Sequence, residues 1–362
     1  MVELIFAGKV SKSSLLLKAN TYQSSIHGIE GNLLIKGDNL YALHELLSEY
    51  RGKIDLVYID PPYNTSKDFM IGNGKTNAMS YHKGDSVAYS DKFSVDGYMQ
   101  FMWERLFLLR ELLSPIGSIY IHIDQKYGHY IKILADEIFG RANFKNDIAR
   151  IKCNPKSIKR SAYGNYRDMV LFYAKDGKQN IWNEVRCEIP SDAVDKRYFK
   201  SENGKAYYTV SLHAPGETLD GETGKPWRGL MPPRGRHWCK SHKEMDELDA
   251  KGMIEWSSTG NPRLKMYKED YKGDKIQDVW VYKDPPHPSY PTEKNSDMLD
   301  MIISQSSNPN SIVLDCFTGS GSTLRSADRL GRRWIGIDQS DASIRTISES
   351  DMKYTFIDMG GL

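Results

Sequence analysis

The sequence predicts an α/β fold built on a mostly parallel sheet, and three observations carry that expectation. Short β-branched apolar runs stop abruptly at an acid, at 54–60, 117–124, 311–315 and 334–338, as buried parallel strands do. Helical periodicity fills the intervals before and between them, as crossover helices require. In open α/β sheets ligands bind just past the carboxyl ends of the strands, so each terminal acid marks a candidate site.

The 362 residues are 40% hydrophobic and 27% charged, enough for one large domain with an insertion, or for two domains. A net charge of +2 singles out no partner, so local charge has to decide. Cys153, Cys187, Cys239 and Cys316 are scattered without a C-x-x-C pair, which speaks against a disulfide framework or a zinc ribbon. No apolar run is long enough to span a membrane, and Leu15-Leu16-Leu17 is too short for a signal peptide. The chain reads as soluble and cytoplasmic, with no membrane partner.

In chain order, residues 33–40 read as a strand, a glycine turn and an acid, Asp38, at a helix start. Leu40, Leu43, Leu46 and Leu47 continue at helical spacing. Asp38 either caps that helix or projects a carboxylate over a ligand at the sheet edge. The next strand ends in Asp60-Pro61-Pro62-Tyr63, where the prolines cannot continue the ladder and force the chain out of the sheet. Those four residues fit a rigid turn and a catalytic edge equally well. Residues 64–97, rich in Gly, Asn, Ser and Lys, read as a long loop suited to a substrate-responsive flap. Met102, Leu106, Leu109 and Leu113 then share a helix face that Ser114-Pro115 is expected to stop. A strand at 117–124, a helix at 131–139 and a strand at 169–173 follow.

Six basic residues, among them Lys156, Lys159 and Arg160, stand against one acid between 145 and 160. Residues 224–243 carry Arg228, Arg234 and Arg236 with two tryptophans and no acid, the footprint of a nucleic-acid surface. A solvated basic face with the tryptophans in a small core is the plainer alternative. His237, Cys239 and His242 lack a matching ligand cluster and do not have structural-zinc spacing, so no metal is expected. Asp284-Pro285-Pro286 is followed by His287 and more proline, which reads as a linker rather than a second active corner.

Residues 311–323 run from a strand through Phe317-Thr318-Gly319-Ser320-Gly321 into a helix. Gly319 and Gly321 let a ligand approach the backbone at the helix N-terminus. Neither a phosphate-loop lysine nor the third dinucleotide glycine follows. Asp338, nineteen residues past Gly319 and at the end of the next strand, suits ribose hydroxyls. Ribose recognition without a pyrophosphate site points towards a nucleoside cofactor such as S-adenosylmethionine.

Asp60-Pro61-Pro62-Tyr63 together with Phe317-x-Gly319-x-Gly321 resembles the β-type amino-methylating DNA methyltransferases. The acid-Pro-Pro-aromatic motif precedes the glycine motif, as in their permuted order, and Pro291-Thr292-Glu293-Lys294 matches their P-T-x-K segment. Residues 60–69 are similar to modification subunits of type III restriction systems. The resemblance implies a Rossmann-like, S-adenosylmethionine-dependent methyltransferase sheet with an inserted target-recognition region. Its parts would be a catalytic half at 1–177, the recognition region at 178–283 and a cofactor-binding half at 284–362.

It implies further that Asp60 and the Pro61 carbonyl accept hydrogen bonds from an exocyclic amine, with Pro62 shaping the corner and Tyr63 stacking on a flipped base. Phe317, Gly319 and Gly321, with Asp315 ending their strand, would line the cofactor pocket. Thr292 and Lys294 would approach the methionine carboxylate, Asp338 the ribose and Asp38 the adenine side. The implied substrate is adenine N6 in double-stranded DNA, since family members acting on cytosine N4 more often carry serine where Asp60 stands. The alternatives are N4-cytosine methylation and an inactive DNA-binding subunit. Protein glutamine methylation uses a related motif in the opposite chain order. The partners it allows, besides DNA, are a second copy of the chain and a restriction subunit, with the protein held at the nucleoid through DNA.

Overall fold

Acid-terminated apolar runs become neighbours in a sheet that contains nine strands among the described residues. The computed structural model describes residues 3–19, 26–64, 68–71, 86–90, 93–155, 161–188, 191–286, 288 and 293–360. In chain order the sheet strands are β1 (Leu33–Lys36), β2 (Ile54–Ile59), β3 (Leu113–Ile123), β4 (Phe144–Ile151), β5 (Arg167–Ala174), β6 (Val279–Val281), β7 (Ile312–Asp315), β8 (Arg333–Asp338) and β9 (Thr355–Asp358). Their spatial order is β6-β4-β5-β3-β2-β7-β8-β1-β9. All neighbours run parallel except β5, which is antiparallel to both β3 and β4. The α/β, mostly parallel, Rossmann-like reading therefore holds.

The central strands are apolar on both faces because helices cover both. Leu33, Leu34, Ile35, Leu56, Val57, Leu314 and Ile337 are fully buried. Helix Asn39–Tyr50 packs Leu43, Leu46 and Leu47 into the core, and Asp38 caps it by accepting from Leu40 N at 2.7 Å. Helix Val95–Leu112 starts on Ser94, whose hydroxyl accepts from Gly97 N at 3.1 Å. It ends at Leu112, and β3 begins one residue later, so Pro115 lies inside the strand instead of in a stop before it. Pro115 and Ile116 are exposed there, where a missing N–H costs least. Of the 64–97 segment, Asp68–Ile71 and Ser86–Ser90 pair as an antiparallel hairpin. Residues 65–67, 72–85 and 91–92 lie outside the described residues, so the flap expectation falls largely there.

The chain forms two compact units, Met1–Val185 with Gln277–Leu362, and Arg186–Ile276. The second has its own core of Leu212, Trp227, Trp238, Met245 and Ile254. Its antiparallel sheet runs in the order Ile254–Trp256, Pro262–Tyr267, Lys205–Ser211, Lys200–Glu202. Helix His242–Ala250 opens with a full capping box between Ser241 and Glu244. No helix among the described residues is long and apolar enough to cross a membrane.

Candidate active site

Strands β2, β7, β8 and β1 are consecutive and parallel, so their carboxyl ends open on one edge. Asp60, Asp315, Asp338 and Asp38 stand at or just past those four ends and line one pocket. Its remaining walls include Phe101, Phe317, Tyr63 and the cations Arg105 and Lys294.

At the end of β2 the two prolines fix a corner that aromatic hydroxyls brace. Tyr63 Oη donates to Asp60 Oδ1 at 2.6 Å, and Tyr98 Oη donates to the Pro62 carbonyl at 2.6 Å. Burial, reinforced by the Asp60 charge, pushes the Tyr63 phenol well up, so it stays a donor. Asn64 closes the corner in the left-handed region with φ 50°, which asparagine tolerates better than most residues. It donates to Tyr127 Oη at 2.8 Å and accepts from Phe93 N at 2.9 Å. The second Asp60 oxygen, Oδ2, forms an ion pair with Lys294 Nζ.

A buried relay underlies this corner. Tyr58 Oη lies 2.8 Å from His122 Nδ1, and His122 Nε2 lies 3.3 Å from Asp168 Oδ2. Burial lowers the His122 pKa against the pull of Asp168. The neutral ring therefore donates through Nε2 and accepts from Tyr58, a tautomer set by its partners. Burial alone would raise Asp168, but His122 and Lys152 outweigh it and hold the carboxyl well below the usual range. Arg150, fully buried, donates to the Tyr282 carbonyl and to Asp284. Three of the basic residues of 145–160 are thus absorbed by unit 1: Arg150, Lys152 on Asp168, and Lys145 on the Gly177 carbonyl.

The glycine turn is held from two sides. Asp315 Oδ1 accepts from Phe317 N at 2.9 Å; burial, opposed by Thr323 and that N–H, pushes its carboxyl up to about 7. Asp338 Oδ2 accepts from Gly319 N at 2.8 Å, and Oδ1 accepts from Ser340 N at 2.9 Å. Burial raises Asp338 as well, in spite of these donors. Gly319 and Gly321 take φ of 50° and 76°. A Cβ on Gly321 would come within 2.6 Å of Ile347, so the turn needs glycine on two counts. Asp338 therefore anchors the glycine turn from the end of β8.

Asp38 caps its helix and also lines the pocket. It also pairs with Arg105, at 3.1 Å. Arg105 Cζ lies over the Phe101 ring, 3.6 Å from its centre, and the guanidinium donates to Asn39 Oδ1 at 2.5 Å. Asn39 in turn donates to the Cys316 carbonyl at 2.7 Å, which ties the β1 end to the β7 end. Sequence reasoning missed Arg105 and Asn39. The signal was Arg105 itself, three residues after Met102 and four before Leu109, hence on the apolar face of its helix.

Thr292, Lys156, Lys159 and Arg160 lie outside the described residues. In the second unit Arg234 and Arg236 are exposed, and Arg236 approaches His213 Nδ1 at 3.2 Å. Arg228 differs: it pairs with Asp246 and Asp249 and packs on Trp227. The window 224–243 has no acid, but the fold supplies acids from outside it. His237 Nδ1 and His242 Nε2 are engaged by the Gly216 and Lys225 carbonyls, and Cys239 is exposed.

The pocket opens at the carboxyl edge of a mostly parallel, Rossmann-like sheet, with the acid-Pro-Pro-Tyr corner on one side and the glycine turn on the other. The chain belongs to the N6/N4 DNA methylase family, whose profile matches residues 54–349. It is 40% identical to the type II methyltransferase M.EcaI of Enterobacter cloacae, over 96% of this chain and 76% of that protein. It is 26% identical to the type III restriction-modification StyLTI Mod subunit of Salmonella typhimurium, over 87% of this chain and 51% of that protein. Among solved structures, the M1.HpyAVI–SAM complex matches with a TM-score of 0.45 at 18% identity, covering 88% of this chain and 98% of that one. The chain spans about half the length of that type III subunit.

Proposed function

We propose that this DNA methylase transfers a methyl group from S-adenosylmethionine to the N6 amine of adenine in double-stranded DNA, within a restriction-modification or epigenetic system. The observation that carries the proposal is the placement of Asp60 and Tyr63 in the same pocket as the glycine turn and Asp338. The type II and type III relatives support the setting.

The donor set suits the cofactor. Asp338 and Asp38 would meet hydroxyl and amine groups of the nucleoside, Phe101 and Phe317 would flank its ring, and Lys294 with Thr292 would take the carboxylate. Three buried or half-buried acids, Asp60, Asp315 and Asp338, favour a cationic ligand over a phosphate. When bound, S-adenosylmethionine supplies an electrophilic methyl group on a sulfonium.

The chain's own residues address the weakness of the nucleophile. An exocyclic amine has its lone pair delocalised into the ring. Asp60 and the Pro61 carbonyl accept its two N–H groups and turn the lone pair out of the base plane. Alignment supplies much of the acceleration, and the Asp60 charge compensates the positive charge that grows on nitrogen. Tyr63 stacks on the base, returning about 1–3 kcal/mol against a flipping cost of roughly a few kcal/mol. Pro62, pinned through Tyr98, keeps the corner rigid. Residues 186–276, with Arg234 and Arg236 exposed, serve target recognition, and the basic 156–160 segment adds phosphate contacts.

Incubation with methyl-labelled cofactor and mixed duplex DNA, followed by nucleoside analysis, tests the reading. The expected product is N6-methyladenine; label on cytosine N4 selects the alternative, and no label on DNA removes both. Asp60→Ala should abolish product while the cofactor still binds, as read by calorimetry.

A further inference from the structure

We propose that Lys294 is a latch that keeps Asp60 closed to the target amine until the carboxylate of the bound cofactor draws its ammonium away. The proposal rests on the methyltransferase reading above and adds an order to it: cofactor first, base second.

Both oxygens of Asp60 are engaged in this structure. Tyr63 donates to Oδ1 at 2.6 Å, and Lys294 pairs with Oδ2. The two partners of the ion pair are 16% and 10% exposed, so water screens it weakly. The same ammonium lies over the Tyr63 ring, 5.8 Å from its centre, on the platform where the base is to stack. Lys294 therefore occupies two things a flipped base needs, its hydrogen-bond acceptor and its stacking face. A cation at that oxygen also opposes the positive charge that must grow on the amine nitrogen.

The other lining cation cannot take the cofactor carboxylate as readily. Arg105 is buried and its guanidinium is committed to Asn39, Asp38 and the Phe101 carbonyl. Lys294 sits instead on a flexible four-carbon stem whose compact charge can change partners. It stands two residues before helix Ser296–Ser306, on a backbone that helix anchors. Exchange of one carboxylate for another keeps its charge paired throughout. The consequence is that an undecorated pocket holds no base.

The test uses the full chain and a duplex in which the methylated base, mapped by the labelling experiment, is replaced by a fluorescent base analogue. Two unreactive nucleosides separate the roles: sinefungin carries the amino-acid carboxylate, and methylthioadenosine lacks it. In the wild type, sinefungin should raise the analogue's emission several-fold and methylthioadenosine should not. Lys294→Met should give the raised emission with no nucleoside present. It should also lose at least about tenfold in sinefungin affinity, the size of a lost charge-assisted bond, with methylthioadenosine affinity unchanged. Lys294→Arg should restore the dependence on sinefungin. Equal emission with both nucleosides, emission from the wild type alone, or a Lys294→Met variant that still requires sinefungin would each overturn the latch. Calorimetry on the wild type separates the failures. Binding of neither nucleoside removes the methyltransferase reading and the latch with it, whereas sinefungin binding with ligand-independent emission removes the latch alone.

Discussion

Asp315 ends β7 where water barely reaches, 2% exposed, with Asp60 and Asp338 adding negative charge nearby. Its carboxyl is pushed up to about 7 from an ordinary 3.8. Between about pH 4 and 7 the folded chain therefore holds a proton that the unfolded chain releases, and stability falls as pH rises through that window. Above pH 7 the full penalty is present, on the order of 4 kcal/mol. Asp315→Asn keeps an acceptor for the Phe317 N–H and removes the charge. Its melting temperature should exceed the wild type's at pH 8, and the gap should close towards pH 4. A gap independent of pH, measured by calorimetry, would mean that Asp315 is ionised at no such cost. The acid itself was legible because it ends an apolar run. Its environment was not, because the neighbouring acids arrive from β2 and β8, which lie far away in the chain.

Elements differ in how openly the chain announces them. Strands β2, β3, β7 and β8 were readable because both their faces are buried and their residues are correspondingly apolar. Strand β4 was read only as basic texture. Of its eight residues just Ile148 and Arg150 are buried, and an arginine in an inward position defeats a hydrophobic pattern. Strand β9 is an edge with three of four residues exposed, and β6 shows one buried residue in three. The helix–turn joint at 317–322 was legible in kind, since only glycine serves such a backbone. Gly321→Ala tests how much the turn depends on it. The added methyl must displace Ile347, met at 2.6 Å, and hold φ 76°. The variant should lose about 1–3 kcal/mol in stability and bind the cofactor more weakly, read by denaturant melts and calorimetry. Retention of both would show that helix Asp341–Ser348 yields freely.

At the scale of the whole molecule, one unit holds the candidate active site and the other, Arg186–Ile276, carries charges whose value depends on their partners. The basic window 224–243 could be read from the chain, but not which of its arginines the fold neutralises. Asp246 and Asp249 lie just past the window and both take Arg228, while Arg234 and Arg236 stay exposed. If phosphates are met here, the salt dependence of DNA binding separates these residues. Each neutralised phosphate contributes a slope of about −0.9 in log K against log salt. Replacing Arg234 and Arg236 by Gln should make that slope less negative by about 1.8 and weaken binding to every sequence alike. Arg228→Gln should leave the slope unchanged and lower stability, because it frees two carboxylates beside Trp227 instead of a phosphate contact. Anisotropy titrations from low to moderate salt read both effects. A slope that moves with Arg228 and not with the other two would place the nucleic-acid surface elsewhere on the chain, and would return the window to a solvated face around two core tryptophans.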